Sequence, residues 1–142
     1  MARRTEIVNY LADKLRLISQ ESGYNTTVSQ VHRSYKYLDD INDFPTLCLG
    51  VTPREQFDQS QSQSPLKSLT MTIRGYVHTA VEDSLQDSEL LARDVEQVVT
   101  AFADASSNLE VHRSQVVTLV TDEGLFSPYG ICDVGVEIYY AD

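Results

Sequence analysis

The clearest alternation of apolar and polar residues lies near the end of the chain, between residues 132 and 140. Every second side chain of a strand points to the same face. Five apolar positions share one face: Cys132, Val134, Val136, Ile138 and Tyr140. The intervening positions carry acidic, glycine and tyrosine residues. The pattern therefore predicts an antiparallel strand that is buried on one face only.

The preceding run, Gln115–Thr121, is dense in β-branched residues and predicts a second strand. Between the two strands lies Asp122–Gly130, which holds two glycines and a proline and is predicted to form a protruding loop. Leu125, Phe126 and Tyr129 stand in this loop. We expect these side chains to anchor a contact with an adjoining ring or a neighbouring subunit, and the alternative is that they fold back on their own core.

Two segments repeat apolar residues at helical spacing. The first is expected to begin at the capping residue Thr5 and to end at Gly23, with an apolar face at Ile7, Leu11, Leu15 and Ile18. The second follows Ser84 and repeats apolar residues at Leu91, Val95, Val98 and Phe102. Its exposed side is expected to hold an ion pair between Glu89 and Arg93. Both segments predict amphipathic helices that pack on a sheet.

Three further strands are predicted before the second helix. A modest one spans Thr27–Tyr35, and an apolar one spans Phe44–Val51, where Pro45 stands at the start. The third, Leu66–His78, has Leu69, Met71, Ile73 and Val77 on its inward face. Its other face includes Arg74 and Tyr76 and is polar with little charge, so it is expected to meet either water or another subunit.

The segment Thr52–Pro65 is rich in glutamine and serine and offers only Phe57 for packing. Such a composition predicts a long flexible loop that becomes ordered against a partner. Phe57 is therefore a candidate contact residue.

The predicted order is α-β-β-β-α-β-β. It indicates an α+β fold, a single mostly antiparallel sheet with two helices packed against it. With 142 residues, of which 42% are hydrophobic, the chain is expected to form one domain over residues 1–142.

Composition narrows the functional classes. The net charge of -10 argues against specific binding of nucleic acid by the domain as a whole. No apolar run approaches the roughly 20 residues that cross a bilayer, so we expect a soluble protein made in the cytosol without membrane contact. Cys48 and Cys132 lie in apolar strand patterns and are expected to be buried, reduced thiols.

Residues that could carry chemistry are few. His32, His78 and His112 lack the short spacing of metal ligands. The acidic run of Asp39, Asp40 and Asp43 lacks the glycine and glutamate of a calcium loop. Phosphate-binding loops and nucleophile motifs are absent from the sequence. We therefore expect a protein that is not an enzyme and needs no cofactor or metal.

The order of these segments, and several of the segments themselves, resemble the tail terminator proteins of long-tailed bacteriophages. The segments that carry the resemblance are 24–28, 44–49, 69–75, 90–102, 120–124 and 134–140. The resemblance implies a structural virion protein at the junction of tail and neck, assembled in the host cytoplasm. It implies a homo-oligomeric ring of six chains that caps the tail tube and stops its polymerisation.

The same resemblance implies the partners. They are the tail tube protein, the neck, connector or head-completion protein, and a sheath if the tail is contractile. DNA is expected to pass through the lumen without specific binding.

Two alternatives remain open from the sequence. One is another ring protein of the virion, either a tail tube protein or a head-completion protein. The other is a small ligand-binding or enzymatic α+β domain with a site built from histidines and carboxylates.

Overall fold

The computed structural model describes residues 3–57, 66–79 and 83–141, and within them the chain forms two α-helices and five β-strands. The elements are α1 (Arg3–Leu15), β1 (Gln30–His32), β2 (Thr46–Phe57), β3 (Leu66–His78), α2 (Ser84–Ala105), β4 (Val111–Thr121) and β5 (Tyr129–Ala141). Three short 3-10 helices lie in the connections. The predicted α+β class and the order α-β-β-β-α-β-β are confirmed.

The strands form one sheet in the order β1-β2-β3-β5-β4. β1 runs parallel to β2, and the three remaining neighbour pairs are antiparallel. The sheet is therefore mostly antiparallel, as predicted. β1, with three residues, forms one edge, and β4, with eleven, forms the other.

Both helices pack against the same face of the sheet and share one apolar core with it. The alternation predicted for β3 and β5 decides which side chains enter this core. Every residue predicted to face inward on these two strands is buried: Leu69, Met71, Ile73, Val77, Cys132, Val134, Val136, Ile138 and Tyr140. The two strands pair along their whole length, so the centre of the sheet is its most continuous part.

The first helix differs from its prediction at both ends. Thr5 lies inside α1, which already includes Arg3, so its predicted capping role is wrong. The helix ends at Leu15, and the chain turns before Ile18, which is nevertheless buried in the core. The predicted end at Gly23 instead closes a short 3-10 helix, where Gly23 adopts a left-handed conformation.

The strands β1 and β2 also differ from their predictions. β1 is shorter than the predicted span Thr27–Tyr35. β2 continues to Phe57, so the first part of the predicted loop Thr52–Pro65 is a strand paired with β3. The rest of that loop, 58–65, lies outside the described residues.

A buried carboxylate ties the connection after α1 to the second helix. Asp94 of α2 is fully buried, and its oxygens accept hydrogen bonds from the backbone N–H groups of Asn25, at 3.0 Å, and Thr26, at 2.8 Å. The side chains of both residues donate to the same carboxylate. Four donors thus satisfy one buried charge, as burial of an ionised group requires.

Candidate functional site

The connection between β4 and β5 is held in shape by Asp122. One carboxylate oxygen accepts the backbone N–H of Ile131 at 3.2 Å, and the other accepts that of Phe126 at 3.1 Å. The Asp122 carbonyl also accepts the N–H of Leu125, at 3.1 Å. This side chain therefore spans the turn and fixes both of its ends. It is a turn-forming residue, as its position beside Gly124 indicates.

Two of the three predicted anchor residues in this loop are exposed. Leu125 is 82% exposed and Phe126 is 54% exposed. Three exposed apolar residues also lie on the edge strand β4, at Val117, Leu119 and Val120. We call these five residues the apolar rim. Val120 lines a hollow together with Phe126, so part of the rim lies directly beside the loop. Exposed apolar residues grouped at one edge are typical of an interaction site.

The third predicted anchor, Tyr129, packs mainly within its own subunit. Its ring lies 4.7 Å from the ring of His78 and 5.8 Å from that of Phe44, measured between centroids. It is partly buried, and its backbone N–H donates to the Phe126 carbonyl. Tyr129 therefore supports the base of the loop, whereas Leu125 and Phe126 form its exposed tip.

A hollow of about 290 Å³ lies beside the loop, lined by Phe126, Val120 and Ile131 on its apolar side. Its polar side is an ion pair in which Arg74 Nε lies 2.7 Å from Asp133 Oδ1 and Nη2 lies 2.9 Å from Oδ2. This bidentate pairing raises the pKa of Arg74 above its usual value. Arg74, a candidate contact residue, is thus already paired with its cross-strand neighbour.

Tyr76 lies on the face predicted for it, but that face is covered there. Its side chain is 1% exposed, and it packs in a second small core with Ile41 and Cys48. Its hydroxyl donates to the Lys36 carbonyl at 2.6 Å, and burial raises the pKa of Tyr76. The expectation that this ring meets water or a neighbouring subunit is therefore wrong. The remaining candidate, Phe57, ends β2, and its side chain lies outside the described part of the structure.

A groove of about 450 Å³ lies between α2 and the C-terminal end of β4. Its lining includes Glu89, Arg93 and Glu123. Arg93 Nη1 pairs with Glu96 Oε1 at 3.0 Å. The predicted ion pair between Glu89 and Arg93 is therefore wrong, because Arg93 pairs with Glu96 instead. Glu89 and Glu123 are both exposed, and the groove carries an excess of negative charge.

The histidines and cysteines form no obvious chemical centre. Across the described ranges, no three His, Cys, Asp or Glu side chains are grouped so that they could hold a metal ion. Cys48 and Cys132 are buried, unpaired thiols. Burial raises the pKa of Cys132 to about 12 and also raises that of Cys48, so both remain protonated and unreactive near neutral pH.

None of the helices in the described ranges has the length and apolar content needed to cross a membrane.

Sequence reasoning missed the exposed apolar residues of β4. The run Gln115–Thr121 was predicted as a strand from its β-branched residues, without a prediction of which residues face the solvent. The available signal was the nearly continuous apolar run Val116–Val120, which contains four apolar residues and one threonine. A strand at the centre of a sheet buries such a run on both faces, but β4 is an edge strand with fewer neighbours.

Comparison with known proteins adds three findings. A family model described as Bacteriophage Tail Tube Terminator Protein matches residues 1–142. The tail tube terminator protein p142 of Escherichia phage T5 is 25% identical over 161 residues, which span 99% of this chain and 94% of that protein. A chain in the structure of the virion of the native gene transfer agent particle matches with a TM-score of 0.60 at 9% identity. That match covers 93% of this chain and 92% of the other, and it shows a common fold.

Proposed function

Because the chain belongs to the family of bacteriophage tail tube terminator proteins, we propose that it forms a six-membered ring that caps the tail tube and stops its growth. Membership makes it a structural protein of the virion tail. The ring joins the tail to the neck or connector below the capsid, so its partners are the tail tube protein on one side and a neck protein on the other. It carries out no catalysis.

The observation that best supports an assembly role is the apolar rim. Leu125 and Phe126 project from a turn that Asp122 holds in place, so their exposure does not depend on a mobile loop. A rigid exposed aromatic side chain loses little conformational entropy on binding, and such residues commonly supply much of the energy of a contact. This feature suits a protein that works by docking to other subunits.

The charge of the subunit suits a channel for DNA. Each chain carries a net charge of -10, so a six-membered ring carries no overall excess of lysine and arginine that would retain phosphates. We expect only weak binding of duplex DNA at physiological salt. Fluorescence anisotropy with a labelled duplex checks this, and a salt-sensitive affinity in the nanomolar range would contradict it.

Solution mass tests the proposed ring. Sedimentation of the purified protein over a range of concentrations is expected to show a species of about six chains, each of 16.0 kDa. Addition of the tail tube protein is expected to favour this species, because binding to the ring shifts the assembly equilibrium. A chain that stays monomeric in both conditions would refute the ring. Open-ended polymerisation into tubes would instead indicate a tail tube protein.

A further inference from the structure

Two hollows lie on either side of the last part of β4. The groove of about 450 Å³ lies next to α2, and its lining includes Leu119, Val120 and Thr121. The hollow of about 290 Å³ is also lined by Val120 and Thr121, but its other walls come from β3, β5 and the loop between β4 and β5. The end of one strand therefore separates two depressions of the surface.

The register of β4 and β5 assigns each depression to one face of the sheet. Residues directly opposite each other in an antiparallel pair point to the same face. Thr121 lies opposite the buried Cys132, so it points to the face that the helices cover. Val120 lies opposite Asp133 and points to the other face, which we call the far face. The groove thus lies on the helix-covered face, and the smaller hollow lies on the far face.

The same part of β4 has a free backbone edge. Because β4 is the last strand in the sheet order, no strand of the described ranges pairs with its outer side. Register shifts interrupt its pairing with β5 between Val111 and Arg113 and between Val116 and Thr118, whereas Thr118–Thr121 pairs without a break. Bulges oppose the addition of a further strand along an edge. The regular backbone that a further strand could join is therefore confined to Thr118–Thr121.

The groove on the helix-covered face favours basic side chains. Glu89 and Glu123 line it, are exposed, and form no ion pair within residues 3–57, 66–79 and 83–141. Arg93 lines the same groove, but its charge is balanced by Glu96. Two negative charges of the groove therefore remain unbalanced. The stem of a lysine or arginine can pack over the neighbouring Leu119 while its charged end reaches these carboxylates.

The hollow on the far face favours apolar side chains. Phe126 and Val120 line it and are both more than half exposed, at 54% and 60%. The charged groups in its lining, Arg74 and Asp133, already pair with each other. An apolar side chain placed there would remove the exposed surface of Phe126 and Val120 from water, without leaving a charge unpaired.

We propose that the edge of β4 at Thr118–Thr121 binds an extended segment of another protein, in which basic and apolar residues alternate. Successive side chains of a strand point to opposite faces, so the basic residues enter the groove and the apolar residues enter the hollow. This site builds on the docking role proposed above, but it does not require the ring. The opposite edge strand of a second copy, β1, consists of Gln30, Val31 and His32 and offers no lysine or arginine.

Synthetic peptides test the site on the wild-type protein. A short fluorescein-labelled peptide in which arginine and leucine alternate is expected to bind at physiological salt, as measured by fluorescence anisotropy. The matched control is a peptide of the same length and composition with its arginines in one block and its leucines in another. It should bind at least about tenfold more weakly, because it cannot present one kind of residue to each face.

Variants at exposed positions test the two faces separately, and circular dichroism checks that each is folded. Glu89→Gln with Glu123→Gln should weaken binding of the alternating peptide at least about fivefold. The control Asp104→Asn with Glu110→Gln removes the same charge and should bind normally, since Asp104 lies about 22 Å along α2 from Glu89. Phe126→Ala should weaken binding about fivefold, and this loss should vanish with a peptide that carries alanine in place of leucine.

Hydrogen exchange locates the bound segment. The alternating peptide should slow amide exchange within Thr118–Thr121, as expected for an added strand. Equal binding of the alternating and block peptides, or no binding of either, would overturn the proposal. Protection of the same amides that rises with protein concentration in the absence of peptide would assign the edge to a second copy and would also overturn it. Sedimentation reports the ring separately, so rings without peptide binding refute this site alone, and peptide binding without rings supports the site while the ring fails.

Discussion

Removal of the exposed tip of the β4–β5 loop should weaken assembly without unfolding the subunit. The change is the double substitution Leu125→Ala and Phe126→Ala. Complete burial of a leucine or phenylalanine side chain is worth about 1.5–3 kcal/mol. Because Leu125 is 82% exposed and Phe126 is 54% exposed, folding gains only the smaller part of this energy, about 1.5 kcal/mol for both residues together.

Docking to a partner can gain the larger part of this burial energy. The still exposed surface of the two side chains corresponds to about 3 kcal/mol, or about a hundredfold in the affinity of the contact. The double variant should therefore melt close to the wild type and fail to assemble at concentrations where the wild type is fully oligomeric. Thermal melting by circular dichroism and sedimentation of the same samples measure the two effects.

Tyr129→Ala is the matched contrast within the same loop. Its ring packs against Phe44 and His78, so truncation should lower the melting temperature more than the double substitution at the tip. The reasoning is refuted if the tip variant melts far below the wild type and its folded fraction still assembles with normal affinity. In that case Leu125 and Phe126 support the subunit's own fold and the interface lies elsewhere.

Two further predictions concern stability. Asp94→Asn should destabilise the subunit by about 2–4 kcal/mol, measured by urea denaturation, because the amide side chain cannot accept hydrogen bonds from all four donors. The control Asp104→Asn, on the exposed face of the same helix, should have little effect. Cys48 and Cys132 should resist iodoacetamide in the folded protein at pH 8 and react fully in denaturant. Because burial raises both thiol pKa values, their contribution to stability is complete below the usual thiol pKa. It should decline as the pH rises from about 9 towards 12, which urea denaturation at each pH would detect; unchanged stability over that range would contradict it.

The parts of the fold predicted correctly were those in which local pattern and tertiary environment agree. In β5, alternation from Cys132 to Tyr140 marks a strand with a helix layer on one face, and the structure provides that layer. The helix α2 was predicted from the spacing of Leu91 to Phe102 for the same reason. In both elements, the spacing of the apolar residues predicts which side chains are buried.

The parts predicted incorrectly depend on contacts between distant segments. The polar stretch Arg54–Phe57 has no strand pattern of its own, but it extends β2 because β3 provides a long pairing partner. Tyr76 lies on a polar face, yet the chain around Ile41 covers it, and alternation alone cannot reveal such a cover. Likewise, the exposure of Val120 follows from the position of β4 at the edge of the sheet, which is a property of the topology.

The most direct test of the central claim is the length of tail tubes assembled in the presence of this protein. Purified tail tube protein is polymerised with and without the chain, and tube lengths are measured by negative-stain electron microscopy. We predict that the wild-type protein binds at tube ends and stops their growth, and that the Leu125→Ala, Phe126→Ala variant does not. Tubes that continue to grow at the same rate with saturating wild-type protein, with none of it at their ends, would contradict the proposed function.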